Sequence, residues 1–553
     1  MDQRTLLAII LSLLLVVAYQ SVMEIYFPPP EVAISQSGEG VTQTNANANP
    51  AQEKVPKPPT ASADSAAAVP VAKPPASRPE AAPGRHDGTI EAFAPFKTNL
   101  IEGQLALEGA TFSDLKFLKH LTHLPPDGQP IHYLNRHGKE LFFNESGFLT
   151  SQIKVPERST LWSLAKPDEK TSPQAIHLFW DNGQGVLFEK KLSLNPDSYL
   201  LTVEDSLSNN TDQPFDIYHF SHFIRVEPAI ETNHAAPVDF QGPMAFLDGK
   251  RVQHPYEDLK KNDIHDSAST GWAGFSDKYF LAALITNDTN KKRFYFDFDN
   301  PTHRVGNVSD KQTVAPKTQF SRTILLYIGP KEIKTLEHVG YHLERSIDYG
   351  WFHFLAVPLV ELLLIFNGFL HNFGLAIILL TVLIKALFYP LANKSYRSMN
   401  EMKKLQPKVE ELRKLYADDK ARMNEAMMKL YQDNKVNPLG GCLPIVVQIP
   451  VFFSLYKVLF LSIEMRHAPL FLWIQDLSEQ DPYYVLPILM GISMFVQSKL
   501  NPTPADPIQA KVMTFLPLIF TFLFLTFPSG LVLYWLVNNI LSIIQQSLIA
   551  RKS

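Results

Sequence analysis

Apolar and polar stretches alternate along this chain on a scale of tens of residues, and that alternation sets out its parts. Leu6 to Ile25 is an apolar run long enough to cross a hydrocarbon core about 30 Å thick, with Arg4 just ahead of it. It passes through Glu24, Tyr26 and Phe27 into Pro28, Pro29 and Pro30, without the small-residue site of a cleavable leader. Residues 1–27 therefore read as an uncleaved transmembrane anchor. Residues 28–88 are rich in Pro, Ala, Ser, Asn and Gln and offer too little apolar surface to offset the entropy of ordering, so they read as a flexible tether.

The period then shortens to two. Gly185–Leu194, Tyr199–Leu207, Lys292–Phe298 and Arg322–Ile328 alternate apolar and polar positions between clusters of Asn, Pro, Asp and Gly. This predicts antiparallel strands, and residues 89–335 form one large β-sandwich domain.

Beyond it the chain turns strongly apolar. Trp351–Leu370 and Phe373–Leu391 follow each other too closely for both to be ordinary spans. The first carries His353, Pro358, Glu361 and Asn367, whereas the second is clean until Lys385. Eleven Lys/Arg residues between Asn393 and Lys435 mark that stretch as cytoplasmic. With the tether and the β domain outside, one crossing separates them from it. Residues 336–371 are accordingly assigned to an amphipathic helix in the outer interface, and Phe373–Leu391 to the span. Leu443–Leu461, Tyr484–Leu500, Val512–Phe527 and Leu531–Ile549 complete a core of five spans over residues 372–553. Both termini then lie on the cytoplasmic side, and residues 28–371 on the outer one. The fold class expected is an α+β membrane protein, with an anchor helix, a β-sandwich and a five-helix bundle.

Bulk composition changes little in this picture. Mean hydropathy is −0.06 and formal net charge −4, so the membrane signal is local and nothing points to DNA as a partner. The single cysteine, Cys442, can form neither an intramolecular disulfide nor a thiolate metal site. No paired-carboxylate, Ser-His-Asp or phosphate-loop motif stands out, so neither catalytic residues nor a cofactor or metal are expected.

The candidate chemistry lies in the spans. A Lys within an apolar helix costs roughly 2.5–3.5 kcal/mol on insertion scales unless it meets protein or water. Lys385 either snorkels to the cytoplasmic surface or faces a wet recess, and Thr381 lies four residues before it on the same face. Gln448, Ser493, Gln497, Asn538, Asn539, Gln545 and Gln546 add polar groups at membrane depth, each readable as an interhelical hydrogen bond or as part of that recess. Between residues 394 and 435, Met399, Met402, Leu405, Val409, Leu412 and Leu415, then Met423, Met427 and Leu430, recur at helical spacing. They predict a basic, Met-rich hairpin, either self-packed or suited to varied apolar segments and to lipid headgroups or ribosomal RNA. Two rival readings remain: a multi-pass solute transporter or channel with an anion site at Lys385, and an enzyme using His219, His222 and His234 of the β domain.

Three stretches carry a family resemblance. VNPLGGCLPIVVQIPVFFSLYKVL (Val436–Leu459), DPYYVLPILMG (Asp481–Gly491) and FPSGLVLYWLVNNI (Phe527–Ile540) are similar to signature segments of the YidC/Oxa/Alb insertases. The anchor, tether and β domain resemble the Gram-negative form. The resemblance implies a bacterial inner-membrane insertase and foldase, working alone or with the Sec translocon on nascent membrane proteins. It further implies contacts with translating ribosomes and lipids, a hydrophilic substrate groove, and a β-supersandwich similar to sugar-binding mutarotase domains. By position it puts Lys385, Thr381 and Trp535 at the groove; relatives more often carry Arg at the first and some carry Tyr at the last.

Overall fold

The structure is a computed structural model that describes residues 83–86 and 89–552, apart from 138–139, 166–174, 229–239, 417–418, 435, 437–442 and 502–506. The expected anchor, nearly all of the tether, Cys442 and His234 lie outside the described residues.

Among the described residues, eighteen strands, every pairing antiparallel, run from Pro83–His86 to Thr318–Pro330. The four stretches singled out by alternation all fall in strands: Val186–Leu194, Leu200–Asn209, Phe280–Asp299 and Thr318–Pro330. Val186–Leu194 buries nearly every second residue, as expected of a strand covered on one face. Phe215–Val226 buries almost every residue, because it lies inside the sandwich between Phe142–Leu149 and Thr302–Val308. The 20-residue strand Phe280–Asp299 joins the layers. Its first part pairs with Thr318–Pro330, its last part with Thr302–Val308, and Ile264–Ser276 runs along both. Phe117, Phe188, Phe223, Trp272, Phe275, Phe294 and Phe296 are fully buried between them. Each contributes on the order of 1.5–3 kcal/mol of apolar transfer energy.

Helix α1 (Ile333–Val339) leads out of the sandwich. The helical region comprises α2 (His353–Leu370), α3 (Phe373–Leu387), α4 (Tyr389–Leu415), α5 (Lys420–Asp433), α6 (Leu443–Leu461), α7 (Val485–Leu500), α8 (Pro507–Phe524) and α9 (Ser529–Lys552). Asn372 starts α3 by accepting the Leu375 N–H, and Asp419 caps α5 by accepting those of Ala421 and Arg422.

Among the described residues the expected helices form, with two bounds moving by four residues or more and others by one to three. Phe373–Leu391 ends at Leu387, because Pro390 sits in the first turn of a new helix and the chain bends by 68° between α3 and α4. Val512–Phe527 becomes Pro507–Phe524, with the helix beginning five residues earlier, on a proline. Among the described residues, Gly350–Leu370 and Ser529–Arg551 are long and apolar enough to cross a membrane by themselves, and α3 with α4 passes only as a bent pair. Gln448–Leu461, Val485–Leu500 and Lys511–Phe524 are shorter apolar helices. Length and composition alone thus favour α2, assigned from the sequence to the outer interface, over α3, whose assignment as the crossing helix rests on orientation.

The segment 462–484, between α6 and α7, closes one end of the bundle. Asn372 donates to the Leu470 carbonyl at 2.6 Å, Ser529 N–H to the Glu479 carbonyl at 2.7 Å, and Gly530 N–H to the Leu477 carbonyl at 3.0 Å. The β domain rests on the same end. Arg466 donates to the Thr122 carbonyl at 2.8 Å, and the Lys278 ammonium lies 4.0 Å from the centre of the Phe460 ring.

Candidate functional site

Polar side chains of the bundle converge on one helix, α9. Lys385, two residues before the end of α3, donates to the Ser542 hydroxyl at 2.8 Å, and that hydroxyl donates to the Asn538 carbonyl one turn earlier. Lys385 is half-buried, and no carboxylate pairs with it among the described residues. Thr381 is buried and spends its hydroxyl on the Ile377 carbonyl of its own helix at 2.7 Å. The two share a face as expected, but Thr381 offers no donor to a bound segment.

Gln448 of α6 donates to the Tyr534 hydroxyl at 2.7 Å. Asn539 donates to Ser493 of α7 at 3.0 Å, Gln545 to the Tyr389 carbonyl at 3.4 Å, and Gln546 to the Leu500 carbonyl at 3.3 Å. Ser542 lies eight positions after Tyr534, or about 12 Å of helix at 1.5 Å per residue. One flank of α9 thus couples to α6, α7, α3 and α4 in turn. Most of the polar residues expected at membrane depth serve as interhelical hydrogen bonds.

Trp535 occupies an adjoining aromatic wall. Its ring lies 4.6 Å from Phe452, 5.3 Å from Phe524 and 6.1 Å from Phe520 between ring centres. Its indole N–H is buried and finds no acceptor among the described residues. Buried donors without partners cost about 1–3 kcal/mol, so this one is conspicuous in a wall that is otherwise apolar.

Sequence reasoning missed Tyr534 and Ser542, the partners of Gln448 and Lys385. Each carried a signal: Ser542 follows Asn538 by one helical turn, and Tyr534 adjoins Trp535.

The hairpin forms from α4 and α5. Tyr396 and Met399 pack with Ile549 near the end of α9, Leu405 and Val409 are buried, and Leu415 and Met428 are exposed. Some of its apolar positions therefore serve packing, and others face outward.

In the β domain, His219 and His222 are fully engaged. His219 Nε2 is 2.9 Å from Asp205, which the Lys190 ammonium also meets at 2.7 Å. His222 bridges Glu145 at 2.7 Å and the Tyr295 hydroxyl at 2.6 Å. Burial lowers both imidazole pKa values. Burial alone would raise the Glu145 carboxyl, but His222 and Arg158 outweigh it and hold it down to about 2. The adjoining cavity measures about 30 Å³, room for a water or two and not for a sugar ring. These groups cross-brace strands.

Two family models match the chain: that described as 60Kd inner membrane protein over residues 365–553, and that described as YidC periplasmic domain over residues 94–362. A membrane protein insertase YidC from Magnetococcus marinus is 52% identical over 562 residues, covering 100% of this chain and 99% of the relative. One from Rickettsia conorii is 38% identical over 484 residues, covering 81% and 85%. Among solved structures, an active YidC insertase crystal structure with the first transmembrane domain resolved covers 84% of this chain and 93% of its own, at 20% identity and a TM-score of 0.37.

Proposed function

The chain belongs to the YidC family of membrane protein insertases, and on that premise we propose that it inserts integral membrane proteins into the bacterial inner membrane and helps them fold there. In this reading α3, α6, α7, α8 and α9 cross the bilayer and α2 lies in the outer interface. Both termini and the α4–α5 hairpin face the cytoplasm, and the β domain faces the periplasm.

The observation that carries the mechanism is Lys385: a cation in an apolar helix, half-buried, held by one hydroxyl and no carboxylate among the described residues. An ammonium with such spare capacity attracts an acidic or polar segment entering from the cytoplasm. Gln448, Tyr534 and Ser542 flank its path with hydrogen-bonding groups, and Trp535 gives an apolar wall with one open N–H. A hydrophilic groove of this kind shortens the hydrocarbon that a polar tail must cross, since an unpaired polar group in apolar surroundings costs several kcal/mol. The apolar segment of the client then partitions into lipid. The membrane potential assists at about 2.3 kcal/mol per charge per 100 mV.

The exposed apolar and basic residues of the hairpin support contacts with translating ribosomes and lipid headgroups, and the Sec translocon is a further partner in this reading. The transporter reading of Lys385 has no observation in its favour, and the paired state of His219 and His222 argues against using them as free acid–base groups.

The test is insertion into proteoliposomes holding this protein alone, with a short single-span client made by a translation system and protease protection as the readout. Protection well above empty liposomes, reduced by Lys385→Ala and more by Lys385→Glu, is expected. Equal protection from wild type and Lys385→Glu for every client refutes the role of the charge.

A further inference from the structure

The face of the β domain that rests on the bundle leaves a cleft of about 400 Å³ against the segment 462–484. That volume lies in the range of about 300–1,000 Å³ usual for small-molecule sites. Its chemistry is mixed in a particular way. Arg466 reaches in from the bundle side after donating one N–H to the Thr122 carbonyl, and His467 and His123 stand beside it. Asp476 and Glu479 line the same cleft. The lining carries one guanidinium and two carboxylates, so a purely anionic ligand meets net repulsion. A zwitterion with a phosphate and a primary ammonium matches both halves.

The surroundings say where such a ligand comes from. Phe471, Leu472, Tyr483 and Tyr484 are exposed along the same segment, and Trp473, whose indole donates to Asp481 at 3.0 Å, lines the cleft. Aromatic residues of this kind belong at the headgroup level of a bilayer. The segment also holds three non-glycine residues, His467, Leu472 and Tyr484, in the left-handed backbone region at φ 58°, 59° and 56°. Strained positions of that sort persist where the surrounding structure fixes the direction of a side chain.

We propose that this cleft binds the headgroup of an outer-leaflet phosphatidylethanolamine, the phosphate on Arg466 and the ammonium on Asp476 and Glu479. The proposal rests on the reading above only in placing 462–484 at the outer membrane surface. A lipid held there seals the junction between domain and bundle.

The experiment is native mass spectrometry of the full chain released from vesicles of equal phosphatidylethanolamine, phosphatidylglycerol and phosphatidylcholine. Phosphatidylethanolamine is expected to be retained at least about fivefold over the other two, because among the three only its headgroup carries a primary ammonium that donates charge-assisted hydrogen bonds to carboxylates. Arg466→Gln lowers retention of all three lipids, and Glu479→Gln, which leaves the Thr122 contact in place, removes the preference and shifts retention toward phosphatidylglycerol. Retained lipid that mirrors the vesicle overturns the proposal, as does a wild-type preference for phosphatidylglycerol. Displacement by millimolar inorganic phosphate overturns it in favour of a free phosphate site. Client insertion scored in the same vesicles is a separate readout, so an insertase that retains no particular lipid is told apart from a protein that does not insert.

Discussion

Glu464 offers a sharp test of how the β domain is fastened to the bundle. It sits in a single 3₁₀ turn, Ile463–Met465, just after α6. One carboxylate oxygen accepts the Ile333 N–H at the start of α1 at 3.4 Å, and the other is buried without a partner among the described residues. Burial, with the nearby Glu332 adding like charge, raises its pKa from 4.5 to about 7. A raised carboxyl means that the folded protein holds a proton the unfolded chain releases. Its cost to stability is therefore absent below pH 4.5, grows as pH climbs from 4.5 to 7, and is constant above. At 1.36 kcal/mol for each tenfold change in proton affinity, that interval amounts to about 3 kcal/mol.

Glu464→Gln keeps an acceptor for Ile333 and abolishes the charge, so the variant is more stable than wild type at pH 8 and nearly equal to it at pH 5. Hydrogen exchange over Ile333–Val339, compared between the two proteins at each pH, reads this directly. About a hundredfold slower exchange in the variant is expected at pH 8, and little difference at pH 5. A difference independent of pH, or faster exchange in the variant at pH 8, refutes the reasoning.

Three further outcomes follow from the packing. Tyr534→Phe strips the acceptor from Gln448, and a double-mutant cycle with Gln448→Leu on thermal unfolding in detergent should return a coupling of about 0.6 kcal/mol, and at most about 1.7, the average and maximum for hydrogen bonds between membrane helices. Asp205→Ala leaves the Lys190 ammonium buried without its carboxylate, and denaturant unfolding of the full chain should show a loss of about 3–5 kcal/mol, larger than that of Lys190→Met with Asp205→Leu together. At Gly374 an added Cβ would come within 2.1 Å of Leu470 Cδ1 and 3.0 Å of its Cβ, so Gly374→Val should cost about 1–3 kcal/mol, read as a lowered Tm.

What the sequence discloses, and what it withholds, follows from the range of the interactions concerned. The helix Leu443–Leu461 has the bounds expected of it, because an apolar run flanked by Gly440 and Gly441 is a local signal. Strand Val186–Leu194 was legible for the same reason. The break after Leu387 was also written locally, in Pro390, but the apolar run through Phe388 and Leu391 masked it. Pairings are another matter. Lys385 and Ser542 are 157 positions apart, and His222 and Glu145 are 77 apart. Alternation says that each of these side chains points inward without saying what it will meet. Lys385 was visible as an anomaly because a charge in an apolar helix breaks a local rule. Tyr534, which breaks none, was not. The switch of Phe280–Asp299 between layers was likewise hidden, since nothing in its residues states which neighbour each half takes.

The dependence of the bundle on α9 bears on how the protein is itself made. The polar partners of α9 among the described residues, on α3, α4, α6, α7 and the segment 462–484, precede it in chain order and leave the ribosome earlier. Until α9 arrives, the Lys385 ammonium and the Gln448 amide sit in half-built surroundings with no Ser542 or Tyr534 to receive them. The maturing molecule thus passes through a stage in which its own membrane segments have the property it is read as relieving in others, and its last helix acts as the first client.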